Sequence, residues 1–146
     1  MISLRSFIYD DIDLLHEYGY GNMTRQEIKK LIDTWNNKEH EGKYFEMFAV
    51  EDKEVVGFVS LYQLSESVVS CGPEIFQPNR QKGYGFRAVS EALKIAEDKG
   101  YKIALAQIRK DNAPSIALHK KLGFETDGSE YINKKGNSVV IYLKSL

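Results

Sequence analysis

The stretch NRQKGYGFRAV, Asn79–Val89, decides how this chain is read. Gly83 and Gly85 sit one residue apart, Arg80, Gln81 and Lys82 precede them, and a helix-like run follows. The first N–H groups of a helix have no intrahelical partners, and the macrodipole makes that end positive. Glycines let a ligand approach the main chain there. Arg80, Lys82 and Arg87 add positive charge, so the loop can cradle a phosphate. The same residues also build an ordinary turn leading into a helix, and on the loop alone both readings stand. A Walker A loop is excluded, because no Gly-Lys-Ser/Thr is present. Gly83-Tyr84-Gly85-Phe86-Arg87-Ala88 does match the dinucleotide fingerprint. That fingerprint follows a strand closely and expects an acid about 20 residues on. Here QPNRQK intervenes, YKIALA (Tyr101–Ala106) offers no acid, and the chain has too few βα units.

Working outward, ISLRSFI alternates as a first strand and DDIDLLHEYG reads as a helix, with Asp10 or Asp11 as N-cap and Gly19 or Gly21 as its stop. TRQEIKKLIDTW has a capping box in Thr24 and Glu27, and Ile28, Leu31, Ile32 and Trp35 share a face. YFEMFAVE and VVGFVSLYQL, joined by DKE, predict a hairpin. SVVSCGPEIF is a further strand in which Gly72 and Pro73 predict a bulge or kink. After the loop, Phe86, Val89, Leu93 and Ala96 recur at helical spacing up to a C′ glycine, Gly100. YKIALAQIR suits a buried strand. APSIALHKKLG is a short helix ended by Gly123, and two strands joined by NKKGN close the chain. The order β α α β β β α β α β β predicts an α+β fold. Its mixed, mostly antiparallel sheet has about seven strands, helices on both faces and one right-handed parallel crossover.

The 146 residues fit one domain spanning 1–146, with 42% apolar and 28% charged residues. A net charge of −1 gives no global attraction to nucleic acid or to an anionic membrane, so any anion site is local. The lone Cys71 cannot form an internal disulfide. With no signal pattern and no apolar run near 20 residues, this points to a cytoplasmic protein. No His/Cys/Asp group has metal-ligand spacing, so no metal is expected. Exposed strand edges near the C-terminus leave room for a homodimer.

A second segment, DNAPSIALHKKLGF (Asp111–Phe124), lies one strand beyond the loop. At this point the chain resembles the GNAT superfamily of acyl-CoA-dependent N-acetyltransferases. Arg80-Gln81-Lys82-Gly83-Tyr84-Gly85 is similar to that family's Gln/Arg-x-x-Gly-x-Gly/Ala pyrophosphate loop. Asn112, Ser115, Leu118 and Leu122-Gly123-Phe124 are similar to its second signature, and the element order matches over essentially the whole chain. SLRSFIYDDIDLL resembles the opening of the branch that includes ribosomal-protein N-terminal acetyltransferases. One departure lies in the first motif, where Pro78 precedes Gly83 by five positions and the family more often has six.

The resemblance implies a cleft where the family's fourth strand, here SVVSCGPEIF, splays from the fifth. It gives Ile75, Phe76 and Gln77 main-chain contacts to pantetheine and Gln81 to Phe86, Tyr84 included, the pyrophosphate. Arg80 and Lys82 would supply charge near the phosphates. Asn112 would hydrogen-bond near pantetheine, and the Ser115 helix would flank the thioester. The implied activity is acetyl transfer from acetyl-CoA, as cosubstrate, to a primary amine of a small molecule, peptide or protein N-terminus. The alternative is a non-catalytic acyl-CoA-binding module. Many relatives place a tyrosine acid where this chain has His119. His119 is read either as that acid, its ordinary pKa near 6.5 suiting it, or as a residue packed on the sheet. Glu74 is read either as the general base or as a solvent-facing strand residue. Cys71 reads as a small buried hydrophobe. Tyr131 and Tyr142 are candidates to line the acceptor pocket, while Met23, Trp35 and Tyr44 near the acceptor region read as core.

Overall fold

Two apolar runs separated by Asp52-Lys53-Glu54 zip into the longest hairpin of the molecule, β3 (Lys43–Asp52) with β4 (Glu54–Gln63). The computed structural model describes residues 1–146. Before the hairpin come β1 (Ser3–Ser6), a 3-10 turn, α1 (Ile12–Tyr18), α2 (Arg25–Asn36) and the two-residue β2 (Glu39–His40). After it come β5 (Val68–Ile75), a second 3-10 turn (Gln77–Asn79), α3 (Tyr84–Asp98), β6 (Ile103–Arg109), α4 (Ala113–Lys121), β7 (Glu130–Ile132) and β8 (Ser138–Ser145). The seven expected strands and four expected helices all form, and β2 is the one addition. The sheet runs β1-β3-β4-β5-β6-β8-β7. Every pairing is antiparallel except β5 with β6, which α3 connects in parallel.

Side-chain alternation along the strands fills two cores. On one face Val59, Leu61, Val69, Cys71, Ala104, Ala106 and Ile108 meet Ala88, Val89, Ala92, Leu93 and Ala96 of α3. On the other, Met47, Ala49 and Phe76 meet Leu15 of α1 and Ile28, Ile32 and Trp35 of α2. The α2 capping box forms as read: the Thr24 side chain accepts from Glu27 N–H at 3.1 Å, and Thr24 N–H donates to Glu27 Oε1 at 2.9 Å. Gly100 and Gly123 follow α3 and α4 with φ of 97° and 93°, the left-handed conformation that a C′ glycine supplies without steric cost. At the start of α1 the expectation needs refinement. Asp11 occupies the N-cap position, but its carboxylate faces back to accept from Arg5 and from Ile8 N–H rather than capping the helix.

The bulge is not where the sequence predicts it. β5 keeps one register against β4 from Val69 to Ile75, straight through Gly72 and Pro73. The irregularity lies in β4, where Val50 pairs with Gly57 and Glu51 with Val55, so that Val56 is the extra residue. Proline is tolerated in β5 because of which edge it faces. Phe76 N–H donates to Val56 O at 2.9 Å, so in this register Glu74 and Gly72 also turn their peptide groups to β4. Pro73 and Ile75 therefore turn theirs to the opposite edge, toward β6, and the missing N–H of Pro73 costs the ladder nothing.

Candidate active site

β5 and β6 pair only over Val68–Ser70 and Ile103–Leu105, and then part. The gap opens beside Pro73 and Ile75, whose outward peptide groups have no strand to meet. The cavity there measures about 550 Å³ and is lined by Pro73, Glu74 and Ile75 of β5, by Asn79 to Phe86 except Lys82, and by Asn112, Pro114, Ser115 and Leu118 around α4. It lies at the C-terminal end of a parallel strand and against a helix N-terminus, where a crossover fold collects ligands.

The glycine loop supplies that N-terminus. Gln81 and Gly83 both take positive φ, 64° and 82°, and Gly83 is the N-cap of α3 with no side-chain cap. The first helical bond is Arg87 N–H to Gly83 O at 3.2 Å, so the N–H groups of Tyr84, Gly85 and Phe86 precede the ladder. The loop is braced from outside. Arg87 donates to Lys82 O at 3.0 Å and lies over the Tyr84 ring at 4.9 Å. Tyr84 OH donates to Asp52 Oδ2 at 2.8 Å; that bond raises the phenol's pKa and lowers the carboxyl's. A Cβ on Gly85 would stand 2.9 Å from Leu118 Cδ1, which shows how closely the loop approaches α4.

Asn112 caps α4, its Oδ1 accepting from Ser115 N–H at 3.2 Å, so its side chain is committed to the helix while it lines the cavity. His119 is 2% exposed and does not line the cavity. Its Nδ1 lies 2.8 Å from Ser115 O, an acceptor only, which requires the proton on Nδ1. Nε2 is then bare, buried and without a partner, and the ring packs edge-on against Phe124 at 5.0 Å. Burial pushes the imidazole pKa down, against a smaller opposing pull from the Ser115 carbonyl. The buried ring is turned to Phe124 and stands outside the cavity lining, which favours the packed reading of His119 over the acid reading.

Glu74 is half exposed at the cleft and accepts from Arg80 Nη2 at 3.1 Å. It projects on the α1–α2 face of the sheet, where Tyr20 stacks near Phe58 at 6.3 Å and Tyr18 near Phe76 at 5.3 Å. Burial and then the Glu74 charge raise the Tyr20 pKa.

Ten expected residues therefore converge: Glu74, Ile75, Arg80, Gln81, Gly83, Tyr84, Gly85, Phe86, Asn112 and Ser115. Phe76, Gln77, Lys82 and His119 do not line the cavity. Phe76 is 2% exposed in the α1–α2 core, with its N–H bonded to Val56 and its carbonyl to Asn79. Gln77 starts the 3-10 turn, and its carbonyl accepts from Arg80 N–H. Tyr142 is buried in the α3-side core, which removes it from an acceptor pocket, while Tyr131 is exposed with its OH on Gln107. Pro73, Asn79, Pro114 and Leu118 join the site unexpectedly. Leu118 carried the motif signal and Asn79 opens the glycine stretch, whereas only the fold brings in Pro73 and Pro114.

An acetyltransferase (GNAT) domain model matches residues 3–125. The chain is 28% identical over 130 residues to the uncharacterized SPbeta prophage-derived N-acetyltransferase YokL of Bacillus subtilis (strain 168), covering 86% of this chain and 69% of the relative. RimL, a ribosomal L7/L12 alpha-N-protein acetyltransferase, superimposes with a TM-score of 0.82 at 17% identity, covering 99% of this chain and 90% of that one. The putative acetyltransferase yncA from Salmonella typhimurium, solved with its cofactor acetyl-CoA, gives 0.75 at 16% identity, covering 100% and 94%.

Proposed function

This chain belongs to the GNAT acetyltransferase family, and from that premise we propose that it transfers an acetyl group from acetyl-CoA to a primary amine by direct attack. The observation that carries the reading is the gap between β5 and β6, which opens onto unpaired N–H groups at the start of α3. The residues fit the cosubstrate. Tyr84, Gly85 and Phe86 offer main-chain donors to the pyrophosphate, Gly83 and Gly85 leave it room, and Arg80 lies close enough to add charge. The Ile75 edge offers a peptide group for the pantetheine amides to pair with. Acetyl-CoA supplies an activated thioester, so no covalent enzyme intermediate is needed.

Glu74 is the group at the cleft able to take the amine's proton, directly or through water. The amine nitrogen bonds to the acyl carbon, the carbon–sulfur bond breaks, and the proton lost by nitrogen balances the one gained by the departing thiolate. With His119 sealed in the α4 packing, that thiolate is protonated from solvent. The acceptor is a small molecule, a peptide or a protein N-terminus. The test is thiol release from acetyl-CoA across a panel of these amines. Turnover on at least one is expected; tight acetyl-CoA binding with release on none would favour a non-catalytic acyl-CoA-binding module.

A further inference from the structure

We propose that Arg80 is a positioning side chain that holds both Glu74 and the free edge of β5 in the empty cleft, so that entry of acyl-CoA favours release of the carboxylate to the amine. The proposal rests on the acetyl-CoA reading of the cavity. Arg80 Nε donates to Ile75 O at 2.8 Å while Nη2 donates to Glu74 Oε1 at 3.1 Å. One guanidinium thus occupies the carbonyl that a pantetheine amide would pair with and the carboxylate that would accept the amine's proton. No other cation lies within ion-pair distance of Glu74. The guanidinium occupies one acceptor site of that carboxylate and fixes its orientation through Oε1.

The hold is weak by construction. Both side chains are 54% exposed, and an ion pair so exposed shifts an equilibrium by about fivefold at most. A phosphate competes well for the same fork, because arginine matches its oxygens in pairs. Arg80 lines the same cavity as Gly83 and Gly85, so the exchange needs only a side-chain rotation. Pantetheine then takes the Ile75 carbonyl, the pyrophosphate takes the guanidinium, and Glu74 is left unpaired beside the thioester. Acyl-CoA binding would thereby precede use of the base.

Calorimetric titration of CoA into the wild type, Glu74→Gln, Arg80→Met and the double variant tests this, with thermal melts confirming that each is folded. Glu74→Gln should bind CoA about two- to fivefold more tightly, since the charged part of the hold on Arg80 is then gone and the bond to the Ile75 carbonyl remains. Arg80→Met should bind more weakly, and adding Glu74→Gln to it should change nothing further. In the wild type, the Arg80 Nε–H resonance should shift when CoA is added. Unchanged or weaker CoA binding by Glu74→Gln overturns the proposal. A Glu74→Gln gain that persists without Arg80 also overturns it, because it would reflect only the removal of a negative charge near the phosphates. If CoA fails to bind the wild type, the acetyl-CoA reading falls and this proposal with it; if CoA binds and the coupling is absent, only this proposal falls.

Discussion

His119 stands where many relatives carry a tyrosine, and the fold packs its ring against Phe124. Its position in the second signature was legible, but its surroundings were not, because they depend on Phe124 folding back onto α4. The buried ring has a pKa below that of the exposed imidazole, near 6.5 when unfolded. The unfolded state therefore binds the proton more readily than the native one. Stability from this site is complete above about pH 6.5 and is lost as the pH falls toward the lower folded value. His119→Phe removes the titration, so its melting temperature should fall less than that of the wild type between pH 7.5 and 5.5. Parallel curves in differential scanning fluorimetry would contradict the burial argument. Gly83 belongs to the same scale. Gly83→Asp should weaken CoA binding roughly tenfold or more, about 1.4 kcal/mol. Gly83→Asn, which carries the same strain at φ 82° without the charge, should weaken it less. Equal CoA affinity for a folded Gly83→Asp protein would remove the phosphate cradle.

Among the elements, β5 was readable as a strand and as an interrupted one, but the nature of the interruption was not. Gly72-Pro73 suggested a bulge because local chemistry says only that a donor is missing, not which edge misses it. The register against β4 decides that, and it pairs Gly72 with Ser60 and Pro73 with Val59, both more than ten positions away. Gly57 marks the same dependence. A Cβ there would lie 2.3 Å from Glu74 O and 2.8 Å from Ile75 Cα, both backbone atoms that cannot swing aside. Gly57→Ala should cost about 1–3 kcal/mol in urea denaturation, as overpacking does, and should also weaken CoA binding by displacing the cleft edge. Gly85→Ala meets only the tip of Leu118, so its fold should survive at a smaller cost. A Gly57→Ala protein as stable as the wild type would show that β5 is free to move there.

On the scale of the whole molecule, element order and the single parallel crossover followed from periodicity and caps, with Thr24, Gly100 and Gly123 all in their expected roles. What the sequence left open was which face each strand residue serves. Strand alternation puts Phe76 and Glu74 on one face, yet only the packed α1–α2 layer shows that Phe76 belongs to a core and Glu74 to its rim. No helix is long and apolar enough to cross a membrane. Cys71 sits in the α3-side core at 3% exposure, and burial pushes its thiol pKa up to about 12. It should resist a thiol reagent such as DTNB in the native protein and react fully in denaturant. Its labelling rate in intermediate urea then reports global opening. Fast labelling without denaturant would mean that the core opens locally at β5.

An unpaired strand edge in the middle of a sheet invites intrusion, since any extended segment of another chain could add itself there and seed aggregation. Pro73 answers that threat by withholding a donor at the centre of the exposed edge, and Arg80 answers it by covering the next carbonyl. The opening is thus selective by composition. A guest with amides spaced along a slender arm and phosphates at its end meets groups that suit it, whereas a foreign β-strand meets a broken ladder.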